Sequence, residues 1–390
     1  MSENSSAREF DVVVYGATGF TGRLVAEYLA RNAPTLRWAI AGRSASKLEA
    51  VRRAVADIDP RCASVGLIVA STDDRGALDA MAARARVLLT TVGPFARLGH
   101  DTVAACVDAG TDYVDITGEP DFVSDTIQRH HLRAAERGLR VVNCCGFDSV
   151  PHDLGAYMLV RHLAPEGPLE IDAFVRSSAS FSGGTWHSAL EYMAKRQAVR
   201  LPLAPHAGRA IKTRAKLHRE AELHAWAAPL PTIDPQIVLR SASLLPAYGP
   251  SFTYGHFAQV RAASTLVAGA VGIGAVALLA QFGPTRALLG RIRGSGEGPS
   301  AEERARAWFT VTLRARSGGR AVMGRVSGRD PGYDETAKML AESALCLALD
   351  RDALPAVYGV VTPAAAMGDA LLARLRRAGM RFEVLSDSGA

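Results

Sequence analysis

The sequence predicts an α/β protein, a Rossmann-type doubly wound parallel sheet followed by a second α+β domain, and three observations predict it. A β-branched run, Val12-Val13-Val14, leads directly into Gly16, Gly19 and Gly22 on the threshold of an apolar-periodic helix. Short apolar runs then alternate with helical periods as far as Asn143, the pattern of a parallel sheet wrapped by helices. Beyond Pro151 the alternation gives way to strand-like two-residue periods and a hairpin signal. A chain of 390 residues is long enough for about two domains, each with its own core. We place the first over 1–150 and a second, for substrate or dimerisation, over 151–334. The C-terminal helices of 335–390 are expected to pack back on the first.

The opening strand, turn and helix carry the first functional reading. In Gly16-Ala17-Thr18-Gly19-Phe20-Thr21-Gly22 the glycines recur every third residue. Such a turn lets backbone amides approach a pyrophosphate, which the helix start also favours electrostatically. The spacing is G-x-x-G-x-x-G and not G-x-G-x-x-G, so its context carries the inference. A second apolar run, Trp38–Ala41, ends at Gly42-Arg43-Ser44, where an NAD-specific fold usually places Asp or Glu on the ribose hydroxyls. A guanidinium there pairs with a 2′-phosphate that a carboxylate would repel, so the expected cofactor is NADP(H).

Later elements follow in order. Ser44 is placed to cap a helix from about Ala45 to Ala56, and Ser64–Ala70 reads as the third strand. Asp73 and Asp74 after it have two readings, adenine contact or helix cap. Arg86–Thr91 is a fourth strand, and Thr91-Val92-Gly93-Pro94 turns the chain where the nicotinamide half of a cofactor would pass. Tyr113–Ile116 and Arg140–Asn143 are the fifth and sixth strands. The latter runs into Cys144-Cys145-Gly146-Phe147-Asp148-Ser149-Val150-Pro151. Strand ends on one edge thereby gather Thr91, Gly93, Asp115, Glu119, Asp148 and Ser149.

The second half is less regular. Glu170–Arg176 alternates as a strand, and Ser182-Gly183-Gly184-Thr185 punctuates before another helix. Arg200–Glu222 is basic and unassigned, either a solvated face or an anion site. No Lys, Arg, Asp or Glu occurs between Arg261 and Arg286, and the apolar segment 262–282 is long enough to span a bilayer. Three readings stay open: a spanning helix, a segment on or dipping into a membrane, and a buried helix facing an acyl chain. Spanning ranks last, because it would strand one flank of a domain across the membrane. Gly294–Ser300 reads as a linker, Ser317-Gly318-Gly319 as a hairpin turn, and Thr362-Pro363 as the start of a last helix.

Composition narrows the classes. A net charge of +6 is too small and scattered to indicate nucleic-acid binding. The five cysteines form no metal-binding cadence, so they read as reduced core residues and no metal is expected. The polar opening has no apolar signal core, which favours a cytoplasmic location.

Taken together, VVYGATGFTG, AGR, TTVGPF, YVDITGE, CCGFDSVPHDLG and VVTPAAAMGDALLARL resemble the saccharopine dehydrogenase-like NADP-binding family, in its branch of bacterial trans-acting enoyl reductases. The resemblance covers nearly the whole chain. It implies a stand-alone reductase serving a polyketide synthase in the making of phthiocerol- and phenolphthiocerol-type lipids, with an acyl-carrier or acyl-thioester substrate. Cofactor positions carried over are Gly16, Gly19, Gly22, Arg43 and the Gly93 turn. Enoyl reduction also needs donors for the thioester oxygen and a proton for the α-carbon. The candidates are Tyr113, Asp148 and Ser149, with His152, Glu119 and the amides of the Gly146–Ser149 turn. An imine or carbonyl reductase and a non-catalytic NADPH-binding scaffold at a membrane are the alternatives. Peripheral membrane contact at the inner face of the plasma membrane, and a homodimer, remain open.

Overall fold

The computed structural model describes residues 8–178, 190, 199–205, 208–290 and 298–389. The chain's first seven residues, Ser182–Thr185, Arg291 and Arg293 lie outside them, as does Gly294–Glu297 of the linker. The chain divides into two compact units. Unit 1 holds the residues up to Thr117, Asp121–Val150 and Tyr333–Ala378; unit 2 holds Gly118–Pro120, Pro151–Gly332 and Gly379 onward.

The chain begins with strands β1 (Phe10–Tyr15), β2 (Trp38–Gly42), β3 (Gly66–Val69), β4 (Ala85–Thr90), β5 (Asp112–Asp115) and β6 (Arg140–Val142). Helices α1 (Phe20–Asn32), α2 (Ala45–Ile58), α3 (Arg75–Arg84), α4 (Phe95–Leu98), α5 (His100–Ala109) and α6 (Pro120–Glu136) alternate with them. Then come α7 (Val150–Leu163), β7 (Leu169–Ser177), β8 (Ala210–Arg214), β9 (His218–Glu220), β10 (Ala225–Pro229), α8 (Asp234–Leu244) and β11 (Ser251–Val260). Next are α9 (Ala263–Ala280), α10 (Gly283–Gly290), α11 (Ala301–Arg306), β12 (Phe309–Ser317) and β13 (Arg320–Gly328). The chain closes with α12 (Asp334–Leu349), β14 (Gly359–Val361), α13 (Pro363–Arg377) and β15 (Arg381–Asp387).

Unit 1 is built on a seven-stranded sheet in the order β14-β6-β5-β4-β1-β2-β3, parallel at every pairing. Val12, Val13 and Val14 are all inaccessible, so β1 is covered on both faces, as its unbroken apolar run requires. Local chemistry sets the helix starts. Ser44 Oγ accepts from the Lys47 amide at the head of α2, and Asp74 Oδ1 accepts from Ala77 at the head of α3. Asp74 is thus a cap. At α13, Thr362 accepts from Ala365 with Pro363 in the first turn.

Unit 2 carries a mixed sheet in the order β15-β13-β12-β7-β11-β10-β9, with β8 pairing β11. β12 and β13 form a hairpin whose Gly318 and Gly319 have φ of +56° and +84°, the positive pair that a two-residue turn of this twist needs. The basic stretch is divided by its contacts. Arg214 pairs with Asp172 at 2.6 Å and Glu170 at 3.2 Å, and Arg209 donates to carbonyls of Ala242, Ser243 and Gly249 around the end of α8. Lys212, Lys216 and Arg219 are exposed.

One expectation for the C-terminal stretch is corrected. Residues 335–390 are not all helices on the first domain: β14 joins the unit 1 sheet as its seventh strand, and β15 pairs antiparallel with β13 in unit 2. Alternation at Phe382 and Val384, with backbone donors left open along β13, draws the chain end into the second sheet.

Candidate cofactor and active site

In unit 1 the glycine turn lies where the order of strands reverses. β1 has β2 on one side and β4 on the other, the crevice in which open parallel sheets receive ligands at the strands' carboxyl ends. Gly16 has φ +90°, and a Cβ on it would stand 2.7 Å from Thr91 Oγ1 and 2.8 Å from Val92 Cγ2. The Thr91 hydroxyl donates to the Gly16 carbonyl at 3.3 Å, tying the loop after β4 to the loop after β1. A Cβ on Gly22 would stand 2.1 Å from that same carbonyl oxygen, so only glycine lets α1 start this close to the strand. Gly19, by contrast, has ordinary room, with the nearest atom at 3.4 Å.

The head of α1 is open to an anion. Its N-cap is Gly19, with no side-chain cap and no acidic residue in the first turn. The first-turn amides of Thr21 and Gly22 have no acceptor within the helix. Ala17 is buried, Thr18 and Phe20 are half-buried, and the Phe20 ring meets Tyr333 edge-on at 4.9 Å. Gly93 and Pro94 lie in the exposed turn after Thr91, with the peptide between them cis.

Arg43 follows β2 directly and is exposed, and Ser44 beside it is half-buried. Asp73 lies close enough to feel the charge of Arg43. The Ser71 hydroxyl, its own backbone amide and then Arg43 hold the Asp73 carboxyl below its ordinary range. Burial, then the Asp73 charge, push the Tyr15 hydroxyl up to about 12 despite Arg43. The cradle therefore has the donor set that a dinucleotide with a 2′-phosphate needs: small residues, open amides and a solvent-facing guanidinium. Replacing Arg43 by Ala should weaken NADPH binding about 10- to 100-fold, the worth of charge-assisted hydrogen bonds, while leaving NADH binding nearly unchanged. Fluorescence titration of both nucleotides checks this.

The candidate catalytic residues separate. Tyr113 is fully buried and its hydroxyl donates to Asp115 Oδ2 at 2.9 Å. Asp115 also accepts from Thr117, Asn143 and Cys144, and burial still lifts its carboxyl to about 6. This buried knot joins the ends of β5 and β6, and it engages the Tyr113 hydroxyl that the sequence offers as a donor to substrate. Asp148 and Ser149 come together in the turn before α7. Ser149 is buried and its hydroxyl donates to the Asp148 carbonyl at 2.7 Å, while the Asp148 side chain is half-buried. The expected amide donors are engaged too, Phe147 by Thr336 Oγ1 and Ser149 by the Gly146 carbonyl. The Ser149 hydroxyl, a second candidate donor, is likewise engaged in a local turn contact.

His152 belongs to a cluster in unit 2 that no local pattern signals. Its Nδ1 is 2.9 Å from Asp234 Oδ1, and Asp234 Oδ2 is 3.6 Å from His256 Nε2. All three are buried and the two rings meet edge-on at 4.8 Å. Burial depresses the His256 imidazole to about 3 in spite of Asp234, and the Asp234 carboxyl is held below its ordinary value by His152 and His256 against its burial. The five cysteines are all buried.

Three comparisons bear on this geometry. The family model for the saccharopine dehydrogenase NADP binding domain matches residues 12–142, the segment that contains the cradle. A Mycobacterium tuberculosis (strain H37Rv) protein provisionally named a trans-acting enoyl reductase is 40% identical, covering 97% of this chain and 98% of its own. The trans-acting enoyl reductase of Mycobacterium leprae is 38% identical over 96% of this chain and 97% of its own. Among solved structures, the apo saccharopine dehydrogenase (L-Glu forming) of Saccharomyces cerevisiae aligns over 96% of this chain and 99% of that one, with a TM-score of 0.56. At 13% identity that likeness shows the shared fold. The nucleotide that fits the cradle is NADP(H).

Proposed function

Since the chain belongs to the saccharopine dehydrogenase-like family, in its trans-acting enoyl reductase branch, we propose that it reduces an enoyl thioester with NADPH. The substrate is carried on an acyl-carrier domain of a polyketide synthase that lacks this step, in the building of a phthiocerol- or phenolphthiocerol-type lipid. The observation that carries this reading is 38–40% identity over nearly the full length to proteins named trans-acting enoyl reductases, combined with an intact nucleotide cradle in the matched segment.

NADPH, when bound, supplies a hydride equivalent for the β-carbon of an α,β-unsaturated thioester. The chain's own residues do the rest. The Gly16–Gly22 turn and the head of α1 would hold the pyrophosphate, and Arg43 with Ser44 would receive the 2′-phosphate. The Thr91–Pro94 turn is where the nicotinamide half would pass. Asp148 is the residue we assign to proton handling at the α-carbon, as a half-buried carboxylic acid in the turn that follows strand β6 at the carboxyl end of the sheet. Asp148→Asn should lower kcat about 100-fold, within the usual range for loss of a general acid, and leave the NADPH Kd unchanged. Unchanged turnover would remove Asp148 from the mechanism.

The discriminating experiment follows NADPH consumption with a carrier-bound 2-enoyl thioester and, separately, with lysine plus 2-oxoglutarate. Consumption with the thioester alone supports enoyl reduction. Consumption with the second pair favours an imine-forming reductase, and NADPH binding without consumption favours a scaffold.

A further inference from the structure

Helix α9 is the most unusual surface of the molecule. Among those of its 18 residues whose side chains are described, only 7% are buried. Val267, Val271 and Leu278 are each more than 60% exposed, and Phe282 just beyond is 60% exposed. From Leu266 to Ala280 no residue is polar, so the helix has no face suited to water. A seam between two copies would use one stripe of such a helix and leave its outer face polar. The absence of any polar stripe favours an apolar solvent around it.

The sheet of unit 2 decides how that solvent is met. β11 runs parallel to β7, with Ala258 opposite Val175, and β12 runs antiparallel to β7, with Phe309 opposite Ser177. The chain therefore leaves at Val260 and returns at Phe309 at the same end of three adjacent strands, either side of β7, about 10 Å apart at normal strand spacing. A helix that crossed a bilayer would need a second crossing to bring the chain back. Residues 281–308 carry eight charged residues, among them Arg286, Glu302 and Glu303, and cannot make it. The same end bears the groups that suit a headgroup layer: exposed Arg261 at the root of α9, and half-exposed Trp308 with the Arg176 guanidinium 5.4 Å from its ring centre. In the sequence, Arg286, Arg291 and Arg293 follow the apolar run. The positive charges of Arg261 and Arg176 complement an anionic lipid surface.

We propose that α9 is a monotopic membrane anchor, which sinks into the near leaflet of an anionic bilayer and seats the end of unit 2 where β11 leaves and β12 begins on the headgroups. This goes beyond the catalytic reading and does not depend on it. The test is flotation of the full-length protein with phosphatidylcholine–phosphatidylglycerol vesicles, alongside the double variant Val267→Glu, Val271→Glu. Both sites are exposed, so the variant should keep its melting temperature and its NADPH affinity. The wild type should float, and the variant should partition at least about tenfold less, from the cost of burying two charges in hydrocarbon. A wild type that stays at the bottom of the gradient overturns the proposal, as does a variant that floats equally well. Light scattering on the same samples covers the rival occupant: a dimer that the glutamates dissociate, with neither protein floating, would assign the helix to a second copy.

Discussion

Replacing Gly22 by valine should abolish NADPH binding and should cost the fold several kcal/mol. The reason is geometric. The first side-chain carbon alone would stand 2.1 Å from the Gly16 carbonyl oxygen and 2.8 Å from Thr91 Oγ1. Both neighbours belong to the cradle, one of them rigid backbone, so α1 must retreat from the strand end and carry its open amides away from the pyrophosphate. Overpacking of this kind costs about 1–3 kcal/mol or more, and loss of the anion contacts weakens the nucleotide by about a hundredfold or beyond. Gly19→Ala is the internal control. Its Cβ meets nothing closer than 3.4 Å and its φ is −80°, so the melting temperature should hold. Calorimetric titration with NADPH and thermal melts of the two variants check the pair.

Removing the Asp234 carboxylate is the second large effect. Asp234→Ala leaves His152 and His256 buried without their acceptor, and an orphaned buried polar group typically costs about 1–3 kcal/mol each. Denaturant unfolding should show the loss. The cluster also sets a pH dependence. The His256 imidazole titrates near 6.5 in the unfolded chain and at about 3 in the folded one, so below pH 6.5 the unfolded state binds a proton that the folded state refuses. Stability is fully present above pH 6.5 and falls as the pH drops toward 3, by at most about 1.4 kcal/mol per pH unit for one proton. Asp234, held below its ordinary value, adds to the loss only at the acid end, below 3.8. The groups facing His256 are Asp234 and His152, with the Tyr254 ring stacked at 6.1 Å. His256→Asn should flatten the profile between pH 6.5 and 4.

Much of unit 1 is legible because its determinants are local. Buried parallel strands need unbroken apolar runs, and the glycine turn, the Ser44 cap and the Thr362-Pro363 start each act within a few residues. Phe10–Tyr15, Trp38–Gly42 and Ala85–Thr90 fall within a residue or so of the runs that predict them. What escaped is non-local. β14 is three residues long and gains its place by pairing with β6, and β15 crosses back to a hairpin whose turn lies far upstream. β11 is flanked by strands of quite different sequence neighbourhoods, so nothing near it announces its partners.

The candidate site divides in the same way. The cradle residues are one turn and its neighbours, whereas the roles of Tyr113 and Ser149 depend on what their hydroxyls meet. Asp115 sits two residues along the same strand from Tyr113, a pairing that strand alternation allows but does not require. The His152, Asp234 and His256 cluster draws on α7, α8 and β11, and only the packing of unit 2 assembles it. The apolar segment was visible as composition, but that the chain leaves and returns at the same end of adjacent strands is a fact of register.

The most direct measurement follows an isotope. The protein is given NADPH deuterated at C4 of the nicotinamide, both faces labelled, and a carrier-bound 2-enoyl thioester, and the acyl product is read by mass spectrometry. Enoyl reduction predicts a saturated chain with one deuterium at the β-carbon and one equivalent of NADP+ formed. Recovery of unreduced enoyl thioester with the nucleotide intact, under conditions where NADPH is bound, would contradict it.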